Sequence, residues 1–143
     1  MGKRKTQIGC AVLVAILIGS GYGFLRIDQA IRNAYACSWV AQMVVEHMKG
    51  NSGRWPSSWD DLRDDYQTCV TRSGQPWSFA ELSRRVDVDW QADPDHLLND
   101  SKGVDHAGFR VITLSDGTAV HWEKSEPNQI VLEYLRGRLR DPE

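Results

Sequence analysis

The feature that most constrains this chain is a long stretch without charge near its N-terminus. Residues 8–25 read IGCAVLVAILIGSGYGFL and directly follow a basic cluster of Lys3, Arg4 and Lys5. A helix rises about 1.5 Å per residue, so this stretch would span about 27 Å, close to the ~30 Å hydrocarbon core of a bilayer. The stretch therefore predicts a membrane-spanning helix, and the basic cluster predicts a cytoplasmic N-terminus.

Three interpretations of this stretch are open. As a signal anchor, it keeps a basic leader (residues 1–7) in the cytoplasm, spans the bilayer with residues 8–25 and exports residues 26–143. As a cleaved signal peptide, it would be cut near the small residues Gly19-Ser20-Gly21. As a buried core helix, it would be unusually long and uniformly apolar. The anchor is favoured because apolar residues continue past the cleavage position.

Small residues recur at every fourth position of the predicted membrane helix. They are Ala11, Ala15, Gly19 and Gly23, and the last two form a GxxxG pattern. Such a stripe lets a second helix approach closely. Glycine and alanine are also common in membrane helices that do not associate, so two interpretations remain. The stripe favours a homo- or hetero-oligomer formed through the N-terminal helix.

The helical pattern continues beyond the apolar stretch. Apolar residues recur at steps of three and four from Ile27 to Met48, with polar residues such as Asp28 and Arg32 on the other side. Residues 50–53, which include two glycines and an asparagine, end the pattern, because these residue types adopt positive φ readily. We expect one helix over about residues 8–49, half in lipid and half packed on a domain.

Two tryptophans follow this helix in the segment RWPSSWDDL. Pro56 fixes its own φ and favours an extended Trp55. We expect Trp55 and Trp59 to pack against the long helix beside Leu62 as a rigid corner. The alternative interpretation is an aromatic contact site for a ligand or a protein.

A second, shorter helix is predicted directly after this corner. Ser57 or Ser58 would cap it, and Asp60 and Asp61 would lie in its first turn, where the helix dipole favours carboxylates. Its pattern runs to about Tyr66.

The remaining sequence predicts a small sheet with short helices. Residues 86–90 alternate between apolar and polar, which is typical of a half-buried strand. A hairpin is expected next, with Asp116-Gly117 as its two-residue turn. Counting outward from that turn places one set of residues on a shared face: Phe109, Val111, Thr113, Val120 and Trp122.

Two further helices have recognisable starts. Ser78 and Glu81 have the spacing of a capping box, and Pro127 suits the first position of a C-terminal helix. Arginines 136, 138 and 140 lie at the negative end of that helix, which is a better account of them than nucleic-acid binding. The predicted fold class is α+β: a long N-terminal helix, first transmembrane and then amphipathic, packed on a small antiparallel sheet with short helices.

This layout resembles the pseudopilins of type II secretion and the related type IV pilins. The resemblance rests on the basic residues 3–5, on Gly9 before the apolar stretch and on the segment Gly53-Arg54-Trp55-Pro56. It implies a bacterial envelope protein whose N-terminal helices stack into a membrane-rooted fibre. The family's processing site is a glycine followed by an aromatic residue, with glutamate at the fifth position. Here Gly9 is followed by CAVLV, which has neither.

No catalytic constellation can be named from the sequence. The segment DPDHLLNDSKGVDH gathers candidate metal ligands, namely Asp93, Asp95, His96, Asn99, Asp100, Asp105 and His106. Leucines stand where a calcium-binding loop needs oxygen ligands and glycine, so a solvated acidic loop is expected. His121 has no carboxylate or nucleophile beside it in the pattern. We expect no cofactor, no metal and no enzymatic activity.

Cysteine usage raises one further question. Cys10 lies in the predicted membrane helix, which leaves Cys37 and Cys69 on the exported, oxidising side. A disulfide between them would join the second helix to the first and contribute about 3–4 kcal/mol. Two separately buried thiols are the alternative.

Together these features predict a single-pass protein of the bacterial cytoplasmic membrane with an extracytoplasmic domain. Its expected role is structural assembly with like or related chains, in contact with the bilayer and not with nucleic acid. The alternative is an envelope domain that binds a ligand or a protein through the Trp55/Trp59 corner or the acidic loop.

Overall fold

Four stretches of the chain are described by the structure, which is a computed structural model: residues 27–73, 77–100, 109–118 and 126–140. The predicted leader, the membrane stretch and its small-residue stripe lie outside these residues. So do residues 105, 106 and 119–123 of the sequence predictions. Within the described stretches, the structure contains no helix that combines the length and the apolarity needed to cross a membrane.

The described residues form helices and two short strands. In chain order these are α1 (residues 27–50), a 3₁₀ turn (Asp60–Leu62), α2 (Arg63–Ser73), α3 (Phe79–Arg85), β1 (Val86–Val88), α4 (Pro94–Asp100), β2 (Ile112–Leu114) and α5 (Pro127–Arg140). The strands pair as one antiparallel sheet. The predicted α+β class is confirmed.

The chain divides into two units, Met1–Arg32 and Asn33–Glu143. In the first unit, residues 27–32 are helical and exposed, and the Arg32 guanidinium donates to the Asp28 carboxylate at 2.8 Å, as the i, i+4 spacing predicts. Ile27 and Ile31 were expected on a face packed against the domain. They are instead 61% and 50% exposed.

In the second unit, α1 is the central helix of the core. From residue 33 onward it is buried around most of its circumference, and its buried apolar residues are Ala36, Cys37, Trp39, Val40, Ala41, Met43, Val44, Val45 and Met48. Burying one such large apolar side chain stabilises a fold by about 1.5–3 kcal/mol. This helix therefore organises the second unit, and the other elements pack around it.

The C-terminal end of α1 is closed by its backbone. The N–H of Gly53 donates to the carbonyl of Met48 at 2.7 Å, with positive φ at Ser52 (54°) and Gly53 (78°). This 6→1 bond is a Schellman closure. The predicted end is confirmed, although Gly50 is still helical and the first left-handed residue is Ser52, whose type gave no signal.

The two strands place their apolar residues in the core. Val86 lies opposite Leu114 and Val88 opposite Ile112, and all four are buried. The strand predicted over 86–90 is confirmed for Val86–Val88. Thr113, expected to share a face with Phe109 and Val111, is exposed, so that face assignment is wrong.

The turn after β2 explains part of this difference. The N–H of Gly117 donates to the carbonyl of Leu114 at 2.9 Å, so the turn begins one residue earlier than predicted, and Gly117 has a φ of 71°. The N–H of Ser115 donates to Arg85 at 3.0 Å, and Val111 accepts from Asp89 at 2.8 Å. These are groups that the predicted hairpin would have directed at its own second strand. In the structure these groups, which flank β2, bond the residues that flank β1 instead. A one-residue shift of the turn reverses the direction in which each backbone N–H and C=O group points.

A buried asparagine on α5 occupies the other edge of β2. The side-chain oxygen of Asn128 accepts the N–H groups of Val111 and Ile112, both at 2.8 Å, and its amide donates to the Ile112 carbonyl at 3.0 Å. It takes the place of a neighbouring strand and attaches α5 to the sheet. Pro127 begins α5, as predicted.

Local capping predictions had mixed outcomes. The Ser78–Glu81 capping box is present in full. The cap position before the 3₁₀ turn is Trp59, which makes no side-chain cap, so the expected serine cap is wrong. Ser57 instead donates its N–H and its hydroxyl to the Asp61 carboxylate, both at 2.7 Å. The helical segment also extends beyond Tyr66.

Candidate functional site

Trp55 is part of the core. Its side chain is buried, and its indole N–H donates to the carbonyl of Asp89 at 2.9 Å. The bond joins the segment after α1 to the residue that follows β1. This arrangement suits the rigid-corner interpretation of Trp55.

Trp59 belongs to a partly exposed group of rings that we call the aromatic cluster: Trp59, Tyr66, Phe79 and Trp90. The Trp59 ring meets Phe79 edge to face at 5.7 Å between centroids and Trp90 at 5.6 Å, and Tyr66 meets Phe79 at 5.5 Å. All four side chains are half-buried against the core. Trp59 could be singled out from the sequence. The other three come from separate elements, so only the fold shows that they meet.

Hydrogen bonds hold the cluster in place. The Tyr66 hydroxyl donates to the Trp77 carbonyl at 2.6 Å. The capping box begins α3 at Phe79, and Trp90 lies two residues after β1. The edge-to-face geometry adds about 0.5–1.5 kcal/mol per ring pair beyond simple burial. The cluster is therefore a rigid surface.

Two arginines lie over aromatic rings in this region. The Arg63 guanidinium is 4.9 Å from the Phe79 centroid and pairs with Asp60 at 2.8 Å. The Arg85 guanidinium is 4.4 Å from the Trp77 ring and donates to the side-chain oxygen of Asn33 at 2.6 Å. Both contacts have cation–π geometry, so the exposed face of Phe79 already accommodates a guanidinium group.

Beside the aromatic cluster lies a group of carboxylates that we call the acidic side: Asp60, Asp61, Asp64 and Asp65. The two hydrogen bonds from Ser57 hold the pKa of Asp61 below its usual range. Burial raises the pKa of Asp65, against the opposing effect of His47. Arg63 is a cation among these residues and pairs with Asp60, so the segment remains net negative.

His47 connects the last turns of α1 to the acidic side. It is buried, and its Nδ1 lies 3.1 Å from the Asp61 carbonyl oxygen and 3.3 Å from the Asp65 carboxylate. The Asn51 side-chain amide nitrogen, a donor, lies farther from Nδ1, at 3.4 Å. The two nearer neighbours accept hydrogen bonds, so we assign the proton to Nδ1. The contact joins three elements, and its evident role is to anchor α2 against α1.

A second charged surface lies at the same end of α1, and we call it the basic side: Lys49, Arg54 and Arg138. The Arg138 guanidinium donates to the carbonyls of Gly53 (3.2 Å) and Ser52 (3.4 Å), and both Arg54 and Arg138 are exposed. The Lys49 ammonium pairs with Glu46 at 2.9 Å and lies 6.0 Å from the Tyr134 centroid. A Cβ at Gly53 would collide with the Arg138 guanidinium. Glycine at this position permits the close approach.

The candidate metal-binding segment is helical where it is described. Residues Pro94–Asp100 form α4, so the expectation of a loop there is wrong, and the Asp93 carboxylate accepts the N–H of Asp95 at 3.0 Å. In the described parts of the chain, no three histidine, cysteine or acidic side chains are grouped to hold a metal ion. Asp105 and His106 are outside those parts.

Cys37 and Cys69 are both buried thiols in the structure. Burial, with smaller contributions from Glu126 and Asp116, raises the pKa of Cys37 to about 12. Such a thiol is almost entirely protonated at neutral pH and is a poor nucleophile. The disulfide between the two cysteines stays a prediction.

Of the sequence-predicted site residues, the structure thus buries Trp55, Cys37 and Cys69 and places Trp59 in a partly exposed cluster. Comparisons of the chain with protein-family models, curated proteins and solved structures found no match.

Proposed function

We propose that this protein is a single-pass, membrane-anchored structural protein of the bacterial envelope that assembles through its N-terminal helix. In this proposal, residues 1–7 are cytoplasmic, residues 8–25 span the membrane and the following domain is exported. The proposed layout resembles that of the pseudopilins. In this proposal, a helix would run from the bilayer to the exported residues, and α1 would be its continuation.

The observation that carries the proposal is the exposure of Ile27 and Ile31. These side chains lie one helical turn apart, just after the apolar stretch, and are 61% and 50% exposed. Large apolar side chains that recur on one helix face suit contact with a membrane or another protein better than contact with water. Lipid at the bilayer boundary and the same helix of a neighbouring chain both provide that contact.

A reporter experiment tests the topology. An enzyme that is active only outside the cytoplasm, fused after Glu143, should be active. The matched variant replaces Lys3, Arg4 and Lys5 with glutamate, which removes the basic signal for orientation and should lower reporter activity. The proposal would be contradicted if this fusion were inactive while a fusion to a second reporter, one that is active only in the cytoplasm, were active.

A second experiment tests assembly through the helix. Replacing Gly19 and Gly23 with isoleucine should weaken self-association in a membrane two-hybrid assay, because branched side chains prevent close helix approach. Gly21→Ile is the matched control, since position 21 lies about 200° around the helix from the stripe. If the double variant, the Gly21→Ile control and the unaltered chain give equal signals at equal expression, the stripe is rejected as an association surface.

A second candidate function is an envelope domain that binds a ligand or another protein. The half-buried aromatic cluster favours it, because tryptophan and tyrosine are enriched where proteins bind partners. A Trp59→Ala variant that assembles normally but loses a co-purifying envelope component would favour this function over assembly.

A further inference from the structure

The two charged surfaces of the second unit lie on opposite sides of the last turns of α1. His47 contacts Asp61 and Asp65, so the acidic side lies on the His47 face of the helix. Lys49 lies over Tyr134, so α5 is on the Lys49 face. Two residues correspond to about 200° around a helix. Lys49 and α5, which carries Arg138, therefore lie on the opposite side of α1 from the acidic side.

The acidic side has the features of a surface that receives cations. Asp61 and Asp64 are exposed, and Asp60 is paired with Arg63. Adjacent to these carboxylates is the aromatic cluster, in which Phe79 already has the Arg63 guanidinium over its ring. Carboxylates beside aromatic faces bind guanidinium groups by ion pairing and cation–π contact together.

The basic side offers one guanidinium group in a fixed position, that of Arg138. Arg138 is exposed but is held by the carbonyls of Gly53 and Ser52, and Arg54 follows directly in the chain. A side chain that is already held loses less conformational entropy when it forms an intermolecular contact. The two surfaces are thus complementary in charge and in chemical type.

We propose that the acidic side and aromatic cluster of one copy bind the basic side of a second copy. This contact rests on the proposed assembly through the N-terminal helix and adds a second, exported interface to it. The two surfaces differ, so the contact is head-to-tail and leaves one surface of each kind available on every pair. It therefore repeats from copy to copy, and its charges set the orientation of neighbouring domains.

A charge-exchange experiment on the full chain in detergent tests this contact. Asp64→Arg and Arg54→Glu, each alone, should weaken self-association about tenfold, since each reverses one exposed charge of the proposed contact. The two substitutions in one chain should restore association to within about threefold of the unaltered protein. An equimolar mixture of the two single variants should also recover association.

The control is Asp95→Arg, which makes the same change at an exposed aspartate in the first turn of another helix. It should leave association unchanged. Raising the salt concentration from about 0.05 M to 0.5 M should weaken the self-association of the unaltered protein. It should also reduce the difference in self-association between the unaltered protein and the single variants.

The outcomes separate the two proposals. If the single variants associate as well as the unaltered chain, or if the double variant fails to recover, the head-to-tail contact is wrong while assembly through the helix remains supported. If the unaltered chain shows no self-association under any of these conditions, the proposed assembly is wrong, and this contact is wrong with it.

Discussion

Residues 27–31 and residues 36–48 of α1 both present apolar side chains at helical spacing, yet the first are exposed and the second are buried. The second stretch is covered by the elements of its own domain. Ile27 and Ile31 are left uncovered, and we propose that lipid or a neighbouring helix covers them. Apolar periodicity in a sequence thus identifies the helix face that is to be buried. It does not identify whether the same domain, lipid or another chain buries that face.

The largest expected effect comes from truncating the buried stretch. Met43→Ala should lower the free energy of unfolding by about 2–5 kcal/mol, because Met43 is fully buried and leaves a cavity. The matched change Ile31→Ala should cost less than about 0.5 kcal/mol in the same urea titration. Its effect should appear instead in membrane association. If Met43→Ala and Ile31→Ala lowered the free energy of unfolding equally, the contrast between the buried and the exposed stretch of α1 would be wrong.

A second prediction concerns a buried polar residue of the same core. Asn128→Ala should cost about 2–4 kcal/mol, because it leaves the backbone groups of Val111 and Ile112 buried without their partner. Gln129→Ala, one position later, should cost about 0.5 kcal/mol or less, since its amide bonds an exposed glutamate. Thermal unfolding of the two variants measures the difference. If Asn128→Ala unfolds like Gln129→Ala, Asn128 does not replace a strand.

The end of α1 allows a comparison of two glycines. Gly53→Ala should destabilise the protein by about 1–2 kcal/mol, because φ is 78° there, a conformation that disfavours a Cβ. The Arg138 guanidinium, which the added carbon would meet, ends an exposed side chain and can move aside at little cost. Gly50→Ala should be neutral or stabilising by up to about 0.5 kcal/mol, because Gly50 is helical and has open space beside its Cα. A Gly53→Ala variant as stable as the unaltered protein would contradict the Schellman closure with positive φ at Gly53.

The smallest effect is expected at Asp65. Burial raises the pKa of this carboxyl group above its usual value, so the folded state binds its proton more tightly than the unfolded state does. Ionising Asp65 therefore costs stability as pH rises through its pKa. Asp65→Asn keeps an acceptor for His47 and removes this cost. The variant should be slightly more stable at pH 7, because solvent screens the effect at this partly exposed group, with no gain near pH 3. Unfolding titrations at both pH values measure this, and an equal gain at pH 3 would argue against the effect of burial.

Features fixed by nearby residues could be predicted from the sequence. The Ser78–Glu81 box, the alternation at Val86–Val88 and the start of α5 at Pro127 each depend on residues within a few positions of one another. The turn after β2 was misplaced by one residue. The N–H of Ser115 donates to the carbonyl of Arg85, thirty positions away in the chain. The residues of the turn alone do not predict that distant partner.

The candidate surfaces required the fold for the same reason. Asn33 lies 52 positions from Arg85, and Arg138 lies 85 positions from Gly53, yet each pair is hydrogen-bonded. Residue types alone do not reveal such pairs. Trp59 was found because tryptophan is conspicuous, whereas its contacts with Phe79 and Trp90 depend on how α3 and β1 pack.

The central claim is that this chain is anchored in a membrane with its domain exported. The most direct test is to isolate membranes from cells that express the full chain and to treat intact spheroplasts with protease. The account predicts that the chain stays in the membrane fraction after alkaline carbonate extraction and that added protease degrades its domain without cell lysis. Recovery of the chain in the extracted supernatant, or protection of the domain until the cells are lysed, would contradict it.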